Sequence, residues 1–201
     1  GEDAADVGVA VNAASKGWNI AGLKCAIIIS QSAKMHEKLN ELPPALHYRA
    51  SLLGAFATVA AFEKGELWLD TVLDQLDHNR KLIAEQIKEK IPTIGYTVPH
   101  CSYLAWLDVS KLNLGEDPGA ALVERAKVAF NPGHIYGASG KDYVRLNFAT
   151  SPEIIIEAFD RMARAQGVTL TASARRILVD LEESGTIRGN VTQGLRWVID
   201  R

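Results

Sequence analysis

Residues 12–25 read Asn12-Ala13-Ala14-Ser15-Lys16-Gly17-Trp18-Asn19-Ile20-Ala21-Gly22-Leu23-Lys24-Cys25, and the fold is decided by how this stretch is read. Lys16 stands among small residues, after the apolar positions Val7, Val9 and Val11 and before the run from Ala26 to Ile29. Small residues and glycines between two strand-like runs mark a bend, which places Lys16 at a turn between two buried strands. A lysine that is nucleophilic near neutral pH needs its ammonium partly desolvated, because burial disfavours the charged form and lowers the pKa. On position alone the commoner alternative is a solvated turn lysine, since lysines are mostly exposed.

Outward from this turn, residues 1–6 are polar and read as a frayed end, and residues 7–11 alternate like a strand. The nearly continuous apolar run at 24–30 predicts a strand covered on both faces, which favours a parallel or mixed sheet. Residues 31–42 form an amphipathic helix pattern that Pro43-Pro44 cannot continue. Residues 45–64 predict a long, buried apolar helix ending at Gly65, where a C-terminal glycine belongs. The spacing over 66–90 is mainly helical, about 25 residues or roughly 37 Å at 1.5 Å per residue, long enough to run from one domain to the next. Strands are then expected at 93–98, 102–109 and 143–149, with a helix over 118–130. Ser151-Pro152-Glu153 opens a further helix with a serine cap and a proline in its first turn. Helices on a mostly antiparallel sheet make this an α+β layer. Residues 171–201 hold two more amphipathic segments, 174–183 and 191–199. They read either as a helical tail packed on its own chain or a partner, with Trp197 in the contact, or as a weakly ordered extension.

Ser15-Lys16-Gly17-Trp18-Asn19-Ile20-Ala21-Gly22-Leu23 resembles the cofactor-lysine signature of the class I/II aminotransferase family of pyridoxal phosphate (PLP) enzymes, and Asn-Ile-Ala-Gly-Leu-Lys is nearest its MalY/PatB branch of cystathionine beta-lyases. A second motif, Tyr143-Val144-Arg145-Leu146-Asn147-Phe148-Ala149, resembles the family's strand bearing the arginine that clamps the substrate α-carboxylate. The resemblance implies an α/β fold: residues 1–70 as the C-terminal part of the PLP-binding large domain, 66–91 as the connecting helix, 92–167 as an α+β small domain, and 168–201 as a helical tail of unassigned role. It implies a full chain about twice as long, whose N-terminal half brings the ring-stacking aromatic, most of the phosphate loop and the aspartate that pairs with the pyridine nitrogen. No stand-in for that aspartate is found; Asp6, Asp70, Asp74 and Asp77 read as loop and helix-surface carboxylates.

The resemblance makes Lys16 the residue that links covalently to PLP and then serves as general base at the substrate α-carbon. Lys24 stands where many relatives carry a phosphate-binding arginine; a surface lysine is the equal alternative, because lysine lacks the planar fork. Ser15 is a candidate donor to the same phosphate. Arg145, on a strand between apolar neighbours, needs an acidic ligand or an acidic partner, so the alternative to substrate binding is a salt bridge to Asp108 or Asp142. Tyr103 and Trp106 resemble the strand lining the substrate entrance, yet read better as core. His134 and Tyr136 lie on a glycine-rich loop near the site in relatives, and a loop histidine is usually solvated.

The 201 residues carry 22 Lys and Arg against 24 Asp and Glu, a balance that offers no basic face to nucleic acid. No run reaches the roughly 18 apolar residues of a membrane span. The two cysteines, Cys25 and Cys101, form no ligand or disulfide framework and read as core residues of a cytoplasmic protein. Histidines 36, 47, 78 and 100 share no metal-binding spacing, so no metal is expected. The implied reaction is carbon–sulfur beta elimination from an amino acid such as cystathionine or another S-substituted cysteine, in a homodimer or with a missing N-terminal half. The alternatives are a PLP-dependent aminotransferase and a catalytically incomplete scaffold.

Overall fold

The structure is a computed structural model that describes residues 2–166. The chain divides into two compact units, one ending at Asp74 and the other beginning at Gln75. The expectations for residues 168–201, including the contact at Trp197, lie outside the described residues.

The first unit opens with helix α1 (Glu2–Val7). The residues expected to fray are helical instead, since Ala is the best helix former and Asp3 favours the positive N-terminal end of the helix dipole. Gly8 follows, where an added Cβ would lie 2.4 Å from the Ala4 carbonyl oxygen, so the chain turns sharply there. Strand β1 (Ala10–Asn12) therefore starts later than expected and pairs antiparallel with β2 (Ile27–Ile29), Val11 opposite Ile28. Both strands are exposed along their length, which corrects the reading of 24–30 as covered on both faces. A continuous apolar run signals burial only where a second layer lies across it, and neither face of this ladder has one among the described residues.

Helix α2 (Ala33–Asn40) starts at Ser32, whose hydroxyl accepts from the Met35 N–H. Residues 45–64 do not form one helix. Pro44–Arg49 is a 3-10 turn, and helix α3 (Leu52–Lys64) restarts at Ser51, whose hydroxyl accepts from the Gly54 N–H. Nor is α3 enclosed. Its buried positions are the small Gly54, Thr58 and Ala61, whereas Leu52, Leu53, Phe56, Val59 and Phe62 are exposed. Helix α4 (Glu66–Lys90) has the bounds read from the sequence and crosses the boundary between the units.

In the second unit, β3 (Gly95–Tyr96), β4 (Leu104–Asp108), β5 (Asn131–Pro132) and β6 (Tyr143–Asn147) form one antiparallel sheet in the order β3-β4-β6-β5. Only β5 is absent from the sequence reading, hidden in what looks like a loop. Helices α5 (Pro118–Ala126) and α6 (Pro152–Ala165) complete the expected α+β layer. Ser151 precedes Pro152 as foreseen, but its side chain makes no capping bond. Ala105, Leu107, Val144 and Leu146 face inward with Ile83, Leu122, Phe148, Ile155, Phe159 and Met162, forming one core. Each large side chain so buried contributes about 1.5–3 kcal/mol.

Two buried polar side chains tie this core together. Asn79, fully buried, donates from Nδ2 to the carbonyls of Phe148 (2.9 Å) and Thr150 (2.8 Å), fixing the chain as it leaves β6. Lys90 pairs with the fully buried Asp160. Asp77 sits on α4 between Lys81 and Arg80, as a helix-surface carboxylate should. The cysteines are not core residues: Cys25 is half-buried and Cys101 exposed. Among the described residues no helix is long and apolar enough to cross a membrane, and no cluster of metal-ligating side chains occurs.

Two outcomes follow from the core of the second unit. Lys90→Met strands the buried Asp160 carboxylate and is expected to cost about 3–5 kcal/mol in denaturant unfolding, while Lys90→Met with Asp160→Leu recovers most of it. Burial pushes the Tyr96 phenol up to about 12 from 10.0. Because the unfolded chain loses this proton first, stability should fall as pH rises from about 10 towards 12. Tyr96→Phe should flatten that part of the pH profile.

Candidate active site

Lys16 lies on a one-turn coil closed by backbone hydrogen bonds from Trp18 N–H to Ala14 (3.1 Å), Asn19 N–H to Lys16 (3.4 Å) and Ile20 N–H to Ser15 (3.1 Å). Ala14 is fully buried beneath it. The Trp18 indole N–H donates to the Gly65 carbonyl at 2.9 Å, and its ring meets Phe62 edge-on with centroids 4.9 Å apart. Gly65 is glycine for want of space rather than for backbone twist. Its φ is −93°, and an added Cβ would fall 2.3 Å from Trp18 Nε1. The aromatic residue two places after the lysine is thus the anchor that ties the turn to the end of α3.

A 3-10 turn (Ala21–Leu23) then leads to Lys24, which adopts φ +50°. That left-handed conformation is uncommon for a lysine. It is held by the Lys24 N–H donating to Ala21 and by the Lys24 carbonyl accepting from Ser51 N–H at 3.1 Å. Gly54 lets α3 approach this turn: an added Cβ would lie 2.2 Å from the Leu23 carbonyl oxygen.

The side chains on this pinned backbone are free. Ser15 is half-buried, while Lys16 and Lys24 are exposed, and among the described residues none of the three makes a side-chain hydrogen bond or ion pair. The sheltered lysine expected from the sequence is not what the first unit shows by itself: the flanking Ala14 is buried and Trp18 half-buried, but Lys16 itself is exposed. A hydroxyl and two unengaged amines on one fixed turn fit an aldehyde bearing a phosphate, in that they supply an imine-forming nitrogen and cationic or neutral donors to an anion.

Arg145 lies on β6 in the second unit. Its direct cross-strand neighbours are Trp106 on β4 and Asn131 on β5, so the three side chains share the face opposite the core. The guanidinium donates from its NH2 nitrogen to Asn131 Oδ1 at 3.1 Å, and its carbon stands 4.7 Å from the centre of the Tyr136 ring. Trp106 meets Tyr136 edge-on at 5.6 Å and stacks on Tyr143 at 5.5 Å. The loop bearing Tyr136 closes on itself tightly; a Cβ on Gly133 would lie 2.2 Å from the Gly140 carbonyl oxygen.

Neither acid offered as the structural alternative reaches this arginine. The Asp108 carboxylate accepts from Ser110 N–H at 2.9 Å, and the Ser110 hydroxyl and backbone hold its carboxyl below the usual range. Asp142 lies 4.0 Å from Lys141. Among the described residues Arg145 makes no ion pair. Trp106, read as core, is 38% exposed, because its position on the strand alternates with Ala105 and Leu107, which take the core face. Tyr103 does pack against the core, and His134 is exposed, both as read. The sequence reading placed Tyr136 on a loop near the site but paired neither it nor Asn131 with Arg145. The weak signal was the Asn131-Pro132-Gly133 turn, whose proline suits an edge strand.

The model of the class I and II aminotransferases matches residues 2–162, and the chain belongs to that family. Cystathionine beta-lyase of Corynebacterium glutamicum is 35% identical over 162 residues, a match covering 81% of this chain and 43% of that protein. Protein MalY of Escherichia coli is 36% identical over 136 residues, covering 66% of this chain and 35% of MalY. A crystal structure from Corynebacterium diphtheriae, provisionally named a PLP-dependent beta-cystathionase, superposes with a TM-score of 0.79 at 38% identity, covering 85% of this chain and 45% of that one. The chain spans less than half the length of these relatives.

Gly65→Ala should displace the Trp18 indole and loosen the turn that carries Lys16. The expected cost is about 1–3 kcal/mol of stability, together with loss of the hydrogen-bonded Trp18 indole N–H signal in an NMR spectrum.

Proposed function

We propose that this chain is the portion of a PLP-dependent carbon–sulfur beta-lyase that carries the cofactor lysine and the arginine for the substrate carboxylate. The observation that carries the reading is Arg145: a guanidinium on a strand, half-buried, with an amide and an aromatic ring as neighbours and no acid. Such a charge is complemented by an anionic ligand, and a planar fork matches a carboxylate. The relatives named as cystathionine beta-lyases supply the reaction class.

In this reading Lys16 holds PLP through its amine, with Ser15 and Lys24 contributing donors to the phosphate. PLP, when bound, supplies an electron sink for the charge left at the substrate α-carbon. Arg145 binds the α-carboxylate and so orients the amino acid. Lys16 would also serve as the base that takes the α-proton. The overall reaction would release the β-substituent as a thiol and, with one water, yield pyruvate and ammonia. The substrate is an amino acid with sulfur at the β-carbon, cystathionine or another S-substituted cysteine.

Because Lys16 is exposed in this chain, its amine needs further cover to be desolvated. We assign that cover to the rest of a longer polypeptide or a second copy in a homodimer. A cytoplasmic setting suits the two free thiols.

The test is to supply cystathionine to the PLP-loaded full-length protein and measure pyruvate against amino transfer dependent on a 2-oxo acid. Pyruvate release is expected, falling by about 10³-fold or more in Lys16→Ala. Arg145→Lys should lower kcat/KM by about 10- to 100-fold. Efficient amino transfer without pyruvate overturns the lyase reading in favour of an aminotransferase.

A further inference from the structure

We propose that Asn131 is a positioning residue that presets the Arg145 guanidinium for a carboxylate while leaving its charge unspent; this rests on the assignment of Arg145 to the substrate carboxylate. Asn131 is the direct cross-strand partner of Arg145 on β5, and its Oδ1 accepts from the arginine at 3.1 Å. The opposite neighbour, Trp106, comes from β4, and Tyr136 lies against the guanidinium at 4.7 Å. Three contacts from three segments therefore define where this cation sits before any ligand arrives.

The chemical type at position 131 matters as much as its place. A neutral amide oxygen fixes one N–H and the plane of the fork, but it carries no charge to compete with an incoming anion. A carboxylate there would orient the arginine at least as firmly and would neutralise it, since an ionised acceptor binds a guanidinium roughly twice as strongly as a neutral one. An aliphatic residue would leave the charge free and the fork unguided. Asparagine alone among the three supplies direction without neutralisation. The Pro132 that follows keeps this edge strand short and in register with β6.

These alternatives separate in a titration of the isotopically labelled chain by NMR, reading the Arg145 Nε–H signal, assigned by its loss in Arg145→Lys, and the Trp106 indole N–H. Sodium propionate is the probe and propionamide, equal in shape and uncharged, is the control, at a fixed total salt concentration. The native chain should respond saturably to propionate and not to propionamide. Asn131→Ala should bind about five- to tenfold more weakly. Asn131→Asp should keep both signals, showing an ordered guanidinium, yet fail to respond to propionate. A merely structural role for Asn131 predicts the reverse for the aspartate variant, with binding retained wherever order is retained. If both variants titrate like the native chain, the positioning role is overturned and the carboxylate assignment stands. If the native chain does not respond to propionate, the carboxylate assignment fails and the positioning role falls with it.

Discussion

Strand β6 is held on both sides, by β4 along its whole length and by β5 at Val144 and Arg145, and this double pairing is the constraint on which the second unit depends. Side chains on a strand alternate between faces with a period of two, so register decides everything about Arg145. In the observed register Val144 and Leu146 are buried and Arg145 joins Trp106 and Asn131 on the opposite face. A slip by one residue would drive the guanidinium into the core among Leu107 and Phe148 and turn two aliphatic residues out. The apolar residues that enclose the core therefore also hold the cation in position, and the core and the site are two faces of one pairing.

The first unit meets a similar demand by different means. No sheet face encloses Lys16; a single indole does the holding, bonded to Gly65 and packed on Phe62. Small residues at 54 and 65 are what let α3 and the turn approach closely. The result is a hydrogen-bonded turn that presents unengaged side chains, in keeping with the cofactor role proposed for Lys16. The backbone is specified here by this unit alone; the amine's environment is not, because Lys16 is exposed in the chain.

How much of this was legible follows from where the information resides. Helix α4 and the strand bearing Arg145 were read correctly because their signals are local: helical spacing closed by Gly65 and Ile91-Pro92, and alternation along 143–147. Lys16 and Arg145 themselves came from motif resemblance, and no pattern of composition would have singled them out. Burial in the first unit was misread because a run such as Ile27–Ile29 records an environment that the described residues do not contain. That Asn131 and Tyr136 meet Arg145 was not read, because the meeting is a product of register and of a tight glycine loop, across fourteen and nine residues of sequence. The alternative of a salt bridge to Asp108 or Asp142 is not met, because both acids have other partners, Ser110 and Lys141.

Asn79 shows how narrowly such a fold is tuned at a single atom. Its amide nitrogen faces two carbonyl oxygens from a fully buried position. Exchanging that nitrogen for oxygen, as hydrolysis of the amide does during chemical ageing, changes the residue's volume hardly at all but reverses the polarity of the contact, setting an acceptor against two acceptors. The damage would reach β6 through residues 148–150, so the lifetime of the sheet is bounded by how well its own interior keeps water from one amide.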